Sequence, residues 1–504
     1  MVDLLLDAHD HRKAEDFPVP NRLAEVEAGA VTPSPELTLP SPKAPSPLFI
    51  DRALAWMGDW LMRHQRWVWG WQWAIIAFYA FTVTVPAFLP HPEREEHIWT
   101  NLTLFAQFLF WGIWWPFVLL SMVVFGRLWC GVLCPEGATS EAAARHGLGR
   151  AVPQWIRWKG WAFVAFASTT AYGQFVSVYQ YPKPALLILG GSTVAAIAIG
   201  FAFGRNKRVW CRYLCPVHGV FALLAKLSPF HYHVDHEAWD QAPKGTFARV
   251  NCAPMVAIRT MRGSTECHMC GRCSGFRGAV TLARRTPGSE IVHVAGAKPK
   301  PWESWLIIFG MMGLTTGAFH WASSGWYIDG KQAVAEWLIE RGIMWPITAV
   351  PPWWLLTSYP DQNDVMSPLD GAMLAVYLLA VTFAIGGAVC LLVAAASRVM
   401  TPVRTEEFRR AFHHLAQSLI PVAACMVFLG LFATTLTMLH VEGLNIPYIK
   451  TARTLMMAAS SLWAVALAWR ITSFHSKRLA ARLGATAFMA VAAFLGFAAW
   501  AFPF

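Results

Sequence analysis

Ten cysteines occur in 504 residues, and eight of them stand in spacings that suit metal chemistry. ECHMCGRCSGF contains Cys267-x2-Cys270-x2-Cys273, the opening of the run C-x2-C-x2-C-x3-C-P, whose closely spaced thiolates wrap a cubane of iron and sulfide. Gly271 and Gly275 suit a backbone folded tightly around such a group, where positive φ is often needed. The run stops short, because Arg277 stands where its fourth cysteine would be and no proline follows. Its other end occurs twice elsewhere: WCGVLCPEG carries Cys130 and Cys134, and WCRYLCPVHG carries Cys211 and Cys215. Proline after a ligand fixes φ and removes an amide donor, which turns the chain sharply beside the metal. With Cys252 as the single cysteine upstream of Cys267, the set supplies eight thiolates, enough for two [4Fe-4S] clusters.

Two divisions of the eight fit equally. One gives Cys130, Cys134, Cys211 and Cys215 to one cluster and Cys252, Cys267, Cys270 and Cys273 to the other; the second shares each pair between clusters, since the cysteine before proline serves the neighbouring cluster in two-cluster ferredoxins. Structural zinc on four thiolates is the competing chemistry, and the repeated Cys-x3-Cys-Pro fits a cubane better than a zinc finger. Arg127, Arg208, Arg212, Arg259, Arg262, Arg272 and Arg277 lie near the cysteines in sequence, where cations would stabilise a reduced, more negative cluster. Cys390 and Cys425 sit in apolar runs and read as small residues packed between helices.

The elements that must position these thiols are membrane spans. Hydrophobic residues make up 56% of the chain and charged residues 14%. A helix of about 20 apolar residues crosses a hydrocarbon core of about 30 Å. Nine runs qualify, over 67–89, 101–125, 158–178, 184–203, 302–322, 369–397, 411–438, 447–470 and 484–503. The net charge of +11 does not point to nucleic acid, because Lys and Arg gather in alternate loops, after the second, fourth, sixth and eighth runs. HPEREEH and YPDQNDV mark the acidic loops between. The expected fold is therefore an all-α polytopic membrane protein of about nine transmembrane helices with a small cytoplasmic ferredoxin-like iron-sulfur segment. Its N-terminus is expected in the cytoplasm, its C-terminus outside, and all eight cysteines at the cytoplasmic face.

Four parts follow: a proline-rich disordered tail over 1–50, a membrane domain over 51–203 with the first Cys-x3-Cys-Pro, a 4Fe-4S segment over 204–301 with the second, and a membrane domain over 302–504. The outer stretch 323–368 carries a stripe of Ala333, Trp337, Leu338 and Ile343, expected to lie on lipid or dock a partner. Clusters confined to the inner face need a relay to serve the outside. His320 and His440, at outer span ends, with His413, His414 and His475, at inner ones, could pair around a b-type haem or simply meet water and carbonyls. His231, His233 and His236 in FHYHVDHE could bind a metal ion, although a solvated loop is the plainer reading. The tryptophans of WVWGWQW and WGIWW read as interfacial belts.

Each Cys-x3-Cys-Pro belongs to a longer unit: an apolar span, then Gly-Arg (Gly126-Arg127 and Gly204-Arg205), then Trp-Cys-x2-Leu-Cys-Pro. Over about 100–290 this resembles the membrane polyferredoxins of the NapH, NosR and CcoG type. CHMCGRCSGFRGAV, PPWWLLTSYPDQNDV and FHHLAQSLIPVAACMVFLGL look most like the FtrD-like ferredoxin component of bacterial ferrous-iron uptake systems. The resemblance implies a multi-pass protein of the bacterial inner membrane that moves electrons between cytoplasm and periplasm. Its implied partners are an iron permease, a periplasmic iron-binding protein and a periplasmic cupredoxin. An electron-transfer subunit is thus expected before a self-contained enzyme. The rivals are a cupric or ferric reductase acting in metal delivery or oxidase assembly, which would need a metal-ion site such as FHYHVDHE, and a zinc-binding scaffold or transporter.

Overall fold

A computed structural model describes residues 49–93, 95–243, 247, 250–403 and 405–501. The tail expected over 1–50 lies outside them except for residues 49 and 50. Those two already belong to a helix, α1 (Phe49–Arg63), and the described residues form one compact unit.

Among the described residues eight helices are long and apolar enough to cross a membrane: Gln65–Phe88, Leu102–Phe125, Pro182–Phe203, Pro301–Ser323, Pro368–Met400, Glu406–Val441, Ile449–His475 and Leu479–Ala501. With almost no sheet, the chain is an all-α polytopic membrane protein. The remaining run of the nine, 158–178, forms a helix of only 15 residues, Trp161–Phe175, about 22 Å long. It still reaches the face opposite the cysteine-rich segment. Just past its end the Ser177 hydroxyl meets that of Thr357 at 2.7 Å, and Tyr181 donates to Asp364 at 2.7 Å.

Two of the spans widen locally at matching places. In Leu102–Phe125 and Pro182–Phe203, π-helical turns begin at Phe108 and Leu186, each 17 residues before its span ends. A third such stretch covers Leu306–Leu314. An i→i+5 turn bulges the backbone and is frequent beside functional sites.

Between the spans the chain twice folds back into the bundle. After Phe125 come two short helices, Leu128–Val132 and Pro135–Arg145, with Cys134 at the turn between them. After Phe203 come Val209–Tyr213 and His218–Leu224, with Cys215 at the corresponding turn. Helix Pro135–Arg145 runs beside Gly191–Phe203 in the same direction, Glu136 meeting Ser192 while Ser140 packs on Gly200 and Ala144 on Gly204. Its first turn therefore lies about 15 Å deeper than its last, near the middle of a core about 30 Å thick. Polar backbone is tolerated at that depth because it is enclosed by protein.

The cysteine-rich segment is built on two antiparallel strands, β1 (Phe230–Val234) and β2 (Val280–Arg284), with Tyr232 opposite Leu282. A two-stranded ribbon alone is marginal. α1 supplies the missing layer. Its Leu54 joins Tyr232, Val234, Met261, Met269, Val280 and Leu282 in one apolar cluster, and Gly58 packs against Ser274 and Leu282. Asp51 pairs with Arg284 at 3.0 Å, and the Ser274 hydroxyl donates to Asp59 at 2.8 Å. Position in the sequence groups this helix with the membrane domain; it packs on the cysteine-rich segment because its apolar face finds its partner there.

Candidate metal centre

The eight thiols separate into two groups of four. Cys130, Cys134, Cys211 and Cys215 line a cavity of about 210 Å³ inside the helix bundle. Cys252, Cys267, Cys270 and Cys273 line a smaller pocket in the cysteine-rich segment. This is the first of the two divisions expected. The placement of the first four differs from expectation: they stand at the fold-back turns, within the bundle, because α-helical fold-backs carry both motifs inward.

Depth can be read along neighbouring helices. Gln65, at the first turn of its span, donates to the Cys270 carbonyl at 3.0 Å. Two turns further Gln72 donates to the Gly131 carbonyl at 3.0 Å. Tyr79, 14 residues and about 21 Å beyond Gln65, lines the same cavity as Cys134 and hydrogen-bonds the Leu189 carbonyl at 3.2 Å. The far wall includes Tyr179, Phe319 and Leu431. Tyr181, two residues past Tyr179, stacks on Tyr359 of the opposite face, ring centroids 3.6 Å apart.

The two turns are built alike. The amides of Leu133 and Cys134 both point to the Trp129 carbonyl, and those of Leu214 and Cys215 to the Trp210 carbonyl, at 2.9–3.0 Å. Counting back from the first cysteine of each motif pairs Arg127 with Arg208, so the Gly-Arg correspondence through Arg205 read from sequence is displaced by three residues. Both arginines are 1% exposed. Each crosses to the other copy. Arg127 donates to the Thr265 carbonyl at 2.8 Å and meets His218 Nδ1 at 3.2 Å; Arg208 donates to the Cys130 carbonyl at 2.5 Å and pairs with Glu141 at 2.7 Å. Arg272 reaches the same Glu141 at 2.6 Å, which ties the cysteine-rich segment to the membrane turn.

Gly131 closes the junction. A Cβ there would fall 2.1 Å from the His268 carbonyl and 2.9 Å from the Cys270 amide, so the backbone between Cys130 and Cys134 lies directly on the backbone between Cys267 and Cys270. Gly271 and Gly275 adopt φ of 80° and 70°, as the tight loop requires.

Several buried donors around the cavities lack a protein acceptor: Arg127 Nε, Trp111 Nε1 and Trp115 Nε1 at the membrane cavity, Tyr232 Oη and His268 Nδ1 at the smaller pocket, and Arg208 Nη2 between them. Native interiors leave few polar groups unpaired. A sulfur-rich anionic group in the cavities would accept from them, so donor set and thiols together fit an iron-sulfur group. Without it, burial favours the protonated form of three thiols in the smaller pocket. Burial pushes Cys267 up to about 12 against the Met269 amide, which lowers it, and burial likewise raises Cys252 and Cys273. Loading must therefore release protons. Among the described residues no three His, Cys, Asp or Glu side chains are gathered closely enough for a single metal ion.

The remaining candidates stand apart from the cavities. His320 Nδ1 lies 2.9 Å from the Thr316 carbonyl, and its ring packs on Trp500. His440 contacts Asn445 at 2.6 Å, and His413 contacts Ser304 at 2.9 Å. His414 is bonded at both nitrogens, to His475 and to the Ile291 carbonyl, each at 3.0 Å. His231 and His233 face the same side of β1 with ring centroids 6.0 Å apart, and His236 opens the next helix. Cys425 is buried among apolar side chains and Cys390 packs at their edge, as expected. The tryptophans of WGIWW correct the belt reading: Trp111, Trp114 and Trp115 line the membrane cavity, whereas Trp67, Trp69, Trp71 and Trp73 are exposed. Glu136, Glu141, Gln72 and Tyr79 join the site without having been expected there. Only Glu136, beside a ligand-type cysteine, carries a local signal.

Residues 107–159 and 187–234 match the family described as a 4Fe-4S binding domain, one stretch over each Cys-x3-Cys-Pro. Protein NirI of Paracoccus denitrificans (strain Pd 1222) is 29% identical over 148 residues, 23% of this chain and 20% of its own length. YccM of Escherichia coli (strain K12), whose name proposes a role in electron transport, is 21% identical over 224 residues, 39% of this chain and 61% of its own. The chain thus spans about one fifth and three fifths of the lengths of these relatives. No solved structure matches it. At the thiol-bearing turns, then, the chain is similar to a 4Fe-4S binding domain.

Proposed function

We propose that the chain is a membrane-bound electron-transfer protein holding two [4Fe-4S] clusters, one on Cys130, Cys134, Cys211 and Cys215 and one on Cys252, Cys267, Cys270 and Cys273. The observation that carries this reading is the pair of four-cysteine cavities at different depths, touching through Gly131. Such clusters, when bound, supply one-electron carriers whose potentials follow charge, hydrogen bonding and solvent exposure. The residues do the rest: Arg127 and Arg208 place buried positive charge against anionic sites, and Glu141 fixes Arg208 and Arg272 in position.

The arrangement also answers how an inner-face site could serve the other side. Four thiols stand near mid-membrane, and the cavity they line runs on to Tyr179 below the outer stretch, so the path divides into two shorter parts without a haem. The cysteine-rich face is read as cytoplasmic in a bacterial inner membrane, on the loop charges. The likeness to ferrous-iron uptake components favours a periplasmic metal-handling partner, a cupredoxin or iron-binding protein working with an iron permease. The repeated Cys-x3-Cys-Pro and the match to a 4Fe-4S binding domain favour cubanes over zinc.

Anaerobic purification with iron, sulfide and zinc assays tests the reading. The expected result is about eight iron and eight sulfide per chain, with Cys134→Ser plus Cys215→Ser removing about half of each. Zinc without sulfide would overturn it.

A further inference from the structure

We infer that the Tyr232 hydroxyl is a hydrogen-bond donor to the sulfur of the cluster in the Cys252–Cys267–Cys270–Cys273 pocket and raises that cluster's reduction potential; this rests on the two-cluster reading above. Tyr232 is 4% exposed and lines the pocket. Its hydroxyl has no hydrogen-bond partner, yet it stands close enough to Cys267, Cys273 and Cys270 to feel their charge. The apolar cluster around the ring, Leu54, Val234, Met261, Met269, Val280 and Leu282, offers no oxygen or nitrogen acceptor, and the Asp59 carboxylate, whose charge the phenol also feels, makes no hydrogen bond with it.

The strand holds the hydroxyl there. Tyr232 and Val234 face inward on β1 while His231 and His233 face the other way, and pairing with Leu282 fixes the register. Gly58 of α1 lies against the ring, where even a Cβ would stand 3.5 Å from its edge, so the phenol cannot swing outward without displacing that helix. An orphaned buried hydroxyl is destabilising, a loss that a strand this well packed would shed by carrying phenylalanine. A phenol keeps its proton up to a pH of about 10, so at neutral pH it donates. Donation to cluster sulfur offsets negative charge, and the benefit is larger for the reduced, more negative state. The potential therefore rises.

The test is an EPR-monitored redox titration of the full-length protein, purified anaerobically, with Tyr232→Phe. The expected result is unchanged iron content and a three- to tenfold lower ratio of reduced to oxidised cluster at a fixed potential, in one of two signals. Tenfold corresponds to 59 mV for a one-electron couple. Site-specific 3-fluorotyrosine at 232, which keeps the shape and donates more strongly, should move the same signal the opposite way. It decides the matter if the phenylalanine variant fails to load. Unchanged potentials in both variants, as expected if a pocket water takes the proton, would overturn the inference. So would equal shifts of both signals. Absence of iron and sulfide from the unaltered protein would instead sink the two-cluster reading, which separates the two failures.

Discussion

The smallest decisive feature is the absent side chain at position 131. A methyl group there would meet the His268 carbonyl at 2.1 Å, far inside contact distance, and the opposing atoms are backbone that cannot rotate away. Gly131→Ala should therefore push the cysteine-rich loop off the membrane turn, at a cost of about 1–3 kcal/mol for an overpacked site. The sharper consequence is local. Cys267 and Cys270 move together with the displaced backbone, so iron content should fall by up to half while the helix bundle, followed by circular dichroism, stays intact. Full iron loading with an unchanged melting temperature would contradict the contact. Little of this is legible in the sequence. Thiol spacing announces cluster chemistry because ligand geometry is local in sequence, but the contact of Gly131 with His268 joins residues more than a hundred positions apart, and nothing in WCGVLCPEG indicates it.

At the scale of elements, periodicity and length fixed the long spans, since a 20-residue apolar run has one economical conformation in lipid. They failed where an element is short or changes partner. Trp161–Phe175 is shorter than a full span, the four fold-back helices are 5, 11, 5 and 7 residues long, and α1 binds the cysteine-rich segment. A further joint escapes a sequence reading because its residues look ordinary there. Lys226, just past the last fold-back helix, pairs with Glu303 at 2.6 Å, and Gln417 bonds both partners at 2.8 and 2.9 Å. Lysine and glutamate are each 3% exposed, so this ion pair is sealed where the second fold-back meets the C-terminal helices. Removing one partner strands the other charge in a medium that cannot solvate it, and such losses run to about 3–5 kcal/mol. Lys226→Met should lower thermal stability in detergent by that order, whereas Lys226→Met with Glu303→Leu should recover most of the loss. If the double variant is as unstable as the single one, hydrogen bonding to Gln417 rather than charge balance is what the joint supplies.

The whole molecule stacks its two thiol sites along the membrane normal, one in the cysteine-rich segment and one near mid-bundle, and this vertical order distinguishes it from a ferredoxin domain merely anchored by helices. Composition and loop charge gave the membrane and its sidedness as expectations, yet depth is a property of the assembled fold-backs and cannot be read from the order of apolar runs. If the proposed two clusters are bound, two observables follow when both are reduced. Centres whose ligand loops touch at Gly131 interact magnetically, so the fully reduced EPR spectrum should be broader than the sum of single-cluster spectra from variants lacking one or the other cysteine set. Accessibility should differ as well. A water-soluble nickel chelate should relax the signal held by Cys252, Cys267, Cys270 and Cys273 more strongly than the signal held by Cys130, Cys134, Cys211 and Cys215, whose cavity is walled by Trp111, Trp115 and Phe221. Additive spectra with equal relaxation of both signals would mean that the sites lie apart and at one depth, and the divided path across the bilayer would be lost with them.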